Sequence, residues 1–230
     1  MLKKLALVVG ATGDIGRVIA KALSKAGYNL LLCGNKGQFD ASIEAQMQLR
    51  FNVKDARQVK NALGQIKQKV DLVVCCAGVA DEEKLLVDQA DEVISNLVET
   101  NLLGTIYVNK YALPLIKKGG SLVNIASFLG VQGCSCEAVY SAAKAGVINL
   151  TKSLAKEFAA FRVRVNCISP GYIQTKMNDE FTEQEKQNLI DNTPAGRLGT
   201  CEDVAKAVLF LADNDFITGE NIVVDGGLII

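Results

Sequence analysis

The sequence predicts a single doubly wound α/β domain, a mostly parallel seven-stranded sheet with helices on both faces. Three observations predict it. Short apolar, β-rich runs alternate with helix-period segments along the whole chain, the signature of repeated βα crossovers. The runs are almost continuously apolar, as strands covered on both faces must be. A glycine turn directly follows the first run and opens the first helix, where wound sheets take a nucleotide.

The apolar runs fall at residues 5–9, 30–33, 49–53, 72–76, 122–126, 163–168 and 222–224, the third being the weakest. Helical spacing recurs over 15–26, 56–67, 88–113, 138–160 and 202–212. No linker, repeat or low-complexity stretch divides the chain, so residues 1–230 read as one domain. Residues 172–199 are polar and irregular, without a convincing strand. At that place in a wound sheet they are expected to form a lid over the strand C-termini.

Lys and Arg total 25, as do Asp and Glu. The balance removes any global electrostatic case for nucleic acid or an anionic membrane, and no basic stripe with an aromatic platform replaces it. No apolar run approaches the roughly 18 residues of a membrane span. The opening apolar stretch ends in a glycine turn and reads as a buried strand rather than a signal peptide. Seven cysteines, an odd number lying largely in strands, point to reduced thiols in a cytoplasmic protein. Cys134 and Cys136 form a lone C-x-C pair in a chain without histidine, so no metal site is expected and every histidine-based triad is excluded.

Two motifs carry chemistry. Gly10-Ala11-Thr12-Gly13-Asp14-Ile15-Gly16 sits between strand and helix, where glycines permit a tight turn and let a pyrophosphate approach N–H groups at the helix start. Asp14 there suits the positive end of the helix dipole or a cap. Further on, Ser127 ends a strand, and Tyr140 and Lys144 follow in a helix at i and i+4, on one face. A free phenol loses its proton near pH 10; a neighbouring ammonium stabilises the phenolate and is expected to lower that value.

These residues, with Ala77-Gly78, Asn101, Asn166-x-x-x-Pro170-Gly171 and the closing Gly219-to-Gly227 stretch, resemble the short-chain dehydrogenase/reductase family over nearly the whole length. The resemblance implies a Rossmann-type fold and an NAD(P)-dependent oxidoreductase. It implies that Tyr140 exchanges a proton with the substrate oxygen and that Lys144 lowers the Tyr140 pKa and meets the nicotinamide ribose. Ser127 would polarise the carbonyl and Asn101 would place a relay water. Gly10, Thr12, Gly13, Asp14, Ile15 and Gly16 would hold the pyrophosphate, and Asn35, Lys36, Asn52, Val53, Ala77 and Gly78 the adenosine half and its surroundings. Pro170, Gly171, Ile173 and Thr175 would shape the nicotinamide pocket. Three departures bear on cofactor affinity: Val9 and Asp14 around the first glycines, Cys75-Cys76 in place of two amides, and Asn52 in place of an Asp.

NADP is the expected cofactor, with NAD as the alternative, because Cys33-Gly34-Asn35-Lys36-Gly37 offers no carboxylate for a ribose 2′-OH and Lys36 could face a 2′-phosphate. Gly196-Arg197-Leu198-Gly199 and Glu202-Asp203-Val204 look most like 3-oxoacyl-(acyl-carrier-protein) reductases. The expected reaction is therefore reduction of a 3-oxoacyl thioester, free or carrier-linked. A dehydrogenase of another small alcohol, sugar or ketone is the alternative. An inactive nucleotide-binding regulator is the alternative of another class, against which the intact Asn101, Ser127, Tyr140 and Lys144 argue. The resemblance also implies a homodimer or homotetramer paired through residues 97–113 and 147–158, with Leu102, Leu103, Ile106, Val147, Ile148 and Leu150 in the contact. It further implies a basic rim for an acidic carrier at Lys117, Lys118 and Arg162.

Overall fold

Strands β1 (Leu5–Val9), β2 (Asn29–Gly34), β3 (Met47–Arg50), β4 (Val70–Cys75), β5 (Ile116–Ile125), β6 (Arg164–Pro170) and β7 (Asn221–Val224) form one sheet in the order β3-β2-β1-β4-β5-β6-β7. Every neighbouring pair is parallel, so the sheet is wholly rather than mostly parallel. The structure is a computed structural model describing residues 3–80, 83–175 and 181–230. The chain winds outward from β1 to β3, then resumes on the other side of β1 with β4. That reversal leaves a crevice at the C-terminal ends of β1 and β4, where a wound sheet binds ligands.

Side-chain alternation divides the core into two layers. Leu5, Leu7 and Val9 of β1 face one layer with Leu31, Val73 and Leu122. Ala6 and Val8 face the other with Leu30, Leu32, Leu72 and Val74. This period of two within continuously apolar strands is the consequence of burial on both faces. Helices α1 (Asp14–Lys25) and α8 (Cys201–Asp213) cover the second layer; α2 (Ala56–Leu63), α4 (Gly104–Ala112) and α6 (Ala138–Glu157) cover the first. Asp55 caps α2 and a Thr200/Asp203 capping box opens α8, each satisfying N–H groups a helix start leaves free.

Two stretches carry detail that periodicity does not show. The helical stretch expected at 88–113 runs unbroken only from Asp91 and contains a π turn. A 3₁₀ turn at Leu86–Asp88 precedes α3 (Asp91–Val98), and a π turn at Glu99–Leu103 joins α3 to α4. Helical periodicity cannot register one extra residue in a turn. Within 172–199, Ile173 bridges Gly199 and α7 (Glu183–Asp191) forms with a Thr182/Glu185 capping box; residues 176–180 of the expected lid lie outside those described.

The short helix α5 (Leu129–Gln132) packs so closely on α6 that a Cβ on Gly130 would lie 2.6 Å from the Lys144 carbonyl carbon and 2.7 Å from the Ala145 nitrogen. Both neighbours are backbone and cannot rotate away. Gly130→Ala should therefore destabilise the chain by roughly 1–3 kcal/mol, the usual range for overpacking. The check is a lower urea midpoint at unchanged m-value.

Candidate active site

Gly10 follows β1 with φ of +88°, and a Cβ there would meet the Ala77 nitrogen at 2.7 Å, so only glycine fits. Gly16 lies against the Gly10 carbonyl and the Cys76 sulfur in the same manner. Gly13, not Asp14, is the N-cap of α1, and no side chain caps this helix. Its opening N–H groups are therefore left for an anion. Asp14 occupies the first helical position, and Arg17 neutralises it at 3.0 Å. This backbone cradle, with the Asp14 charge offset by Arg17, fits a pyrophosphate.

Beyond β1 the crevice reaches the C-terminal end of β5. Ser127 is buried there and its Oγ accepts the Leu129 N–H at 3.2 Å. The Lys144 ammonium, only 5% exposed, donates to the Ile125 carbonyl at 3.2 Å and lies 5.5 Å from the Tyr140 ring centroid. Burial pulls the Lys144 pKa down to about 8. Burial also pushes Tyr140 up to about 12, opposed by hydrogen bonding with Ser127. In the free protein the direction for Tyr140 is therefore up rather than down, because loss of water, with the Glu137 carboxylate adding to it, outweighs the Ser127 hydrogen bond. Asn101, in the π turn and fully buried, spends its amide on Val79: Oδ1 accepts the Val79 N–H at 3.1 Å and Nδ2 donates to its carbonyl at 2.8 Å. A Cβ on Gly78 would lie 2.9 Å from Asn101 Oδ1 and 3.3 Å from Lys144 Nζ, so the amide braces the strip of backbone that borders the ammonium.

A family model described as enoyl-(acyl carrier protein) reductase matches residues 10–229. The chain is 38% identical to a 3-oxoacyl-(acyl-carrier-protein) reductase of Haemophilus influenzae, with 99% of each covered. It is 35% identical to carbonyl reductase family member 4 of Xenopus laevis, covering 99% of this chain and 98% of that protein. A solved structure titled ElxO with NADP bound superimposes with a TM-score of 0.90 at 31% identity, covering 99% of each chain. The chain belongs to the short-chain dehydrogenase/reductase family. It is thereby an NAD(P)-dependent oxidoreductase, and the family resemblance read from Gly10, Ser127, Tyr140 and Lys144 holds over the full length.

In this short-chain dehydrogenase/reductase a cleft of about 420 Å³ brings together Ile15, Gly78, Ser127, Tyr140, Lys144, Pro170, Gly171, Ile173 and Thr175. The adenosine-side residues lie apart from it. Asn52 Oδ1 accepts the Lys54 N–H at 3.1 Å, and Val53 is buried beside Gly104, so its side chain serves the core. Asn35 and Lys36 are exposed beyond β2. Sequence reasoning missed the aromatic wall, in which Phe128 meets Tyr172 at 5.1 Å and Tyr172 meets Phe181 at 6.2 Å between ring centroids. It also missed Glu83, Glu137 and Glu185 in the lining. Phe128 and Tyr172 lie within three residues of the ends of β5 and β6, a signal that was available; Phe181 and the acidic residues carry none.

The basic rim needs correction. Lys117 and Lys118 lie at the start of β5, Lys117 pairing with Asp71, and Arg162 lies two residues before β6. In a parallel sheet these are the ends remote from the cleft: Ile116 pairs with Val70 and Asn124 with Cys75, five residues of β4 apart, roughly 17 Å at about 3.3 Å per residue. Within one chain they cannot border its own site.

The buried ammonium has a testable cost. Because the folded pKa of Lys144 lies below the unfolded value of about 10.4, the penalty is complete below pH 8 and relieved as pH rises through 8 to 10. Lys144→Met should unfold later than wild type at pH 6.5 in urea, and that advantage should shrink at pH 9.5. A constant difference across pH would mean the ammonium is well solvated.

Proposed function

We propose that this chain reduces the keto group of a 3-oxoacyl thioester to the 3-hydroxyacyl thioester. The observation that carries the reading is a protonated phenol, a serine hydroxyl and an ammonium grouped at one cleft beside an uncapped helix N-terminus. NADPH, when bound, supplies the hydride. Ser127 donates a hydrogen bond to the substrate oxygen, and Tyr140 transfers its proton to that oxygen as the carbon is reduced. The Lys144 ammonium stabilises the phenolate left on Tyr140, which regains a proton from solvent. A phenol held near 12 stays protonated at neutral pH, which suits reduction. Asn101 acts as a positioning residue through Val79. The relatives named for 3-oxoacyl reduction support the substrate class, and the NADP-bound neighbour supports the cofactor.

Tyr172, Phe181 and Glu185 line the cleft, which supports a lid role for residues 172–199. Half-buried Leu103, Ile106 and Leu150 support pairing of two chains through the π turn, α4 and α6, whereas Val147 belongs to the core and Leu102 and Ile148 pack against it. Among the described residues no helix is long and apolar enough to cross a membrane.

One observation favours a second reading, reduction of a free small carbonyl compound. Glu83, Glu137 and Glu185 line the cleft, while Lys144 is the sole basic residue among its described lining. Carboxylates there oppose an acidic carrier.

Tyr140→Phe should lower turnover at least about 10²-fold, the lower range for losing a general acid, with the NADPH dissociation constant nearly unchanged. Near-normal turnover would remove Tyr140 from the chemistry. KM for carrier-linked acetoacetyl thioester should rise with added salt if docking is attractive; a KM that falls with salt, at unaltered KM for a small thioester, would favour the free-carbonyl reading.

A further inference from the structure

Arg50 ends β3 directly beside Gly34, its register partner at the end of β2. Its Nη1 donates to the Asn35 carbonyl at 2.9 Å and to the Gly37 carbonyl at 2.8 Å, the two residues flanking Lys36. The guanidinium also lies 4.7 Å from the Phe39 ring centroid. Two carbonyls and a ring face therefore hold one cation in place under the loop that follows β2.

That loop touches the nucleotide cradle. A Cβ on Gly34 would lie 2.9 Å from Thr12 Oγ1, and one on Gly37 3.0 Å from Thr12 Cβ. A dinucleotide whose pyrophosphate rests on the start of α1 must send its adenosine ribose past this contact, toward β2 and β3. The charges found there are unequal. Neither Arg50 nor Lys36 has a carboxylate partner among the described residues. The nearby acids are occupied: Asp14 is paired with Arg17, and Asp40 accepts the Ser42 N–H at 2.9 Å and the Ser42 hydroxyl at 2.7 Å.

We infer that Arg50 is a specificity-determining residue for NADPH, fixing the 35–37 loop through two carbonyls and meeting the ribose 2′-phosphate together with Lys36. Arginine suits both tasks at once. A guanidinium has five N–H donors, and with Nη1 on the carbonyls, Nη2 and Nε remain for phosphate oxygens. Lysine on the same stem could not brace two carbonyls and still present a planar fork. A bare 2′-hydroxyl would leave both cations unmatched. The inference rests on the NADPH reading given above.

The test is equilibrium binding by isothermal titration calorimetry, with NADPH, NADH, 2′,5′-ADP and 5′-AMP as probes, on wild type and on Arg50→Gln. Glutamine keeps amide donors for the loop carbonyls but carries no charge. The expected result is a loss on the order of 10- to 100-fold for NADPH and 2′,5′-ADP, the range for removing a charge-assisted hydrogen bond, with NADH and 5′-AMP within about twofold. Lys36→Ala should act in the same direction and less strongly. Equal losses on all four probes would show that Arg50 only braces the loop and would overturn the inference, as would no loss on any. Wild-type binding that favours NADH over NADPH would overturn the cofactor reading itself, before any variant is made.

Discussion

The rest of the site depends on keeping one ammonium inside the protein. Lys144 lies on a helix packed against a sheet, almost without water, with the Ile125 carbonyl at 3.2 Å as its hydrogen-bond acceptor. Burial of a charge is costly unless polar groups surround it, and the neighbouring features can be read as conditions for tolerating this one. Gly130 lets α5 press on α6 at the level of Lys144. The π turn puts Asn101 where its amide can hold Val79, which keeps Gly78 open beside the ammonium. Ser127 ends the adjacent strand with its hydroxyl toward Tyr140. An ammonium whose pKa has fallen to about 8 can still be charged at neutral pH, and it borders a phenol that burial holds in its protonated form.

Departures from the family pattern read differently once packing is visible. Cys75 and Cys76 replace amides that would brace the nucleotide site. Cys76 Sγ instead donates to the Val9 carbonyl at 3.2 Å, tying the end of β4 to β1 beside the glycine turn. Burial pushes both thiols up, Cys75 to about 11, so they stay neutral and act as packing groups. Beside this tie, a Cβ on Gly10 would lie 2.7 Å from the Ala77 nitrogen, so the two turns pack backbone to backbone. Asp14 adds a negative charge where a pyrophosphate would rest, but one helical turn along Arg17 compensates for it.

Most of the strands, the parallel class of the sheet and the triad of Ser127, Tyr140 and Lys144 were legible in the sequence itself. Strand periodicity, burial on both faces and an i, i+4 helical pair are local properties, and each leaves a trace within a few residues of chain. Tertiary structure decided what depends on distance and solvent. The ring of Tyr140 gained a raised pKa rather than a lowered one because burial cannot be read from its neighbours in sequence. Lys117, Lys118 and Arg162 fell at the far end of the sheet because strand polarity, not proximity in the chain, sets which end meets the cleft. Arg50 joined the loop at Lys36, fourteen residues earlier, only through the register of β2 and β3. Local pattern determined the elements and their chemistry; three-dimensional register and the exclusion of water determined which charges those elements bring face to face.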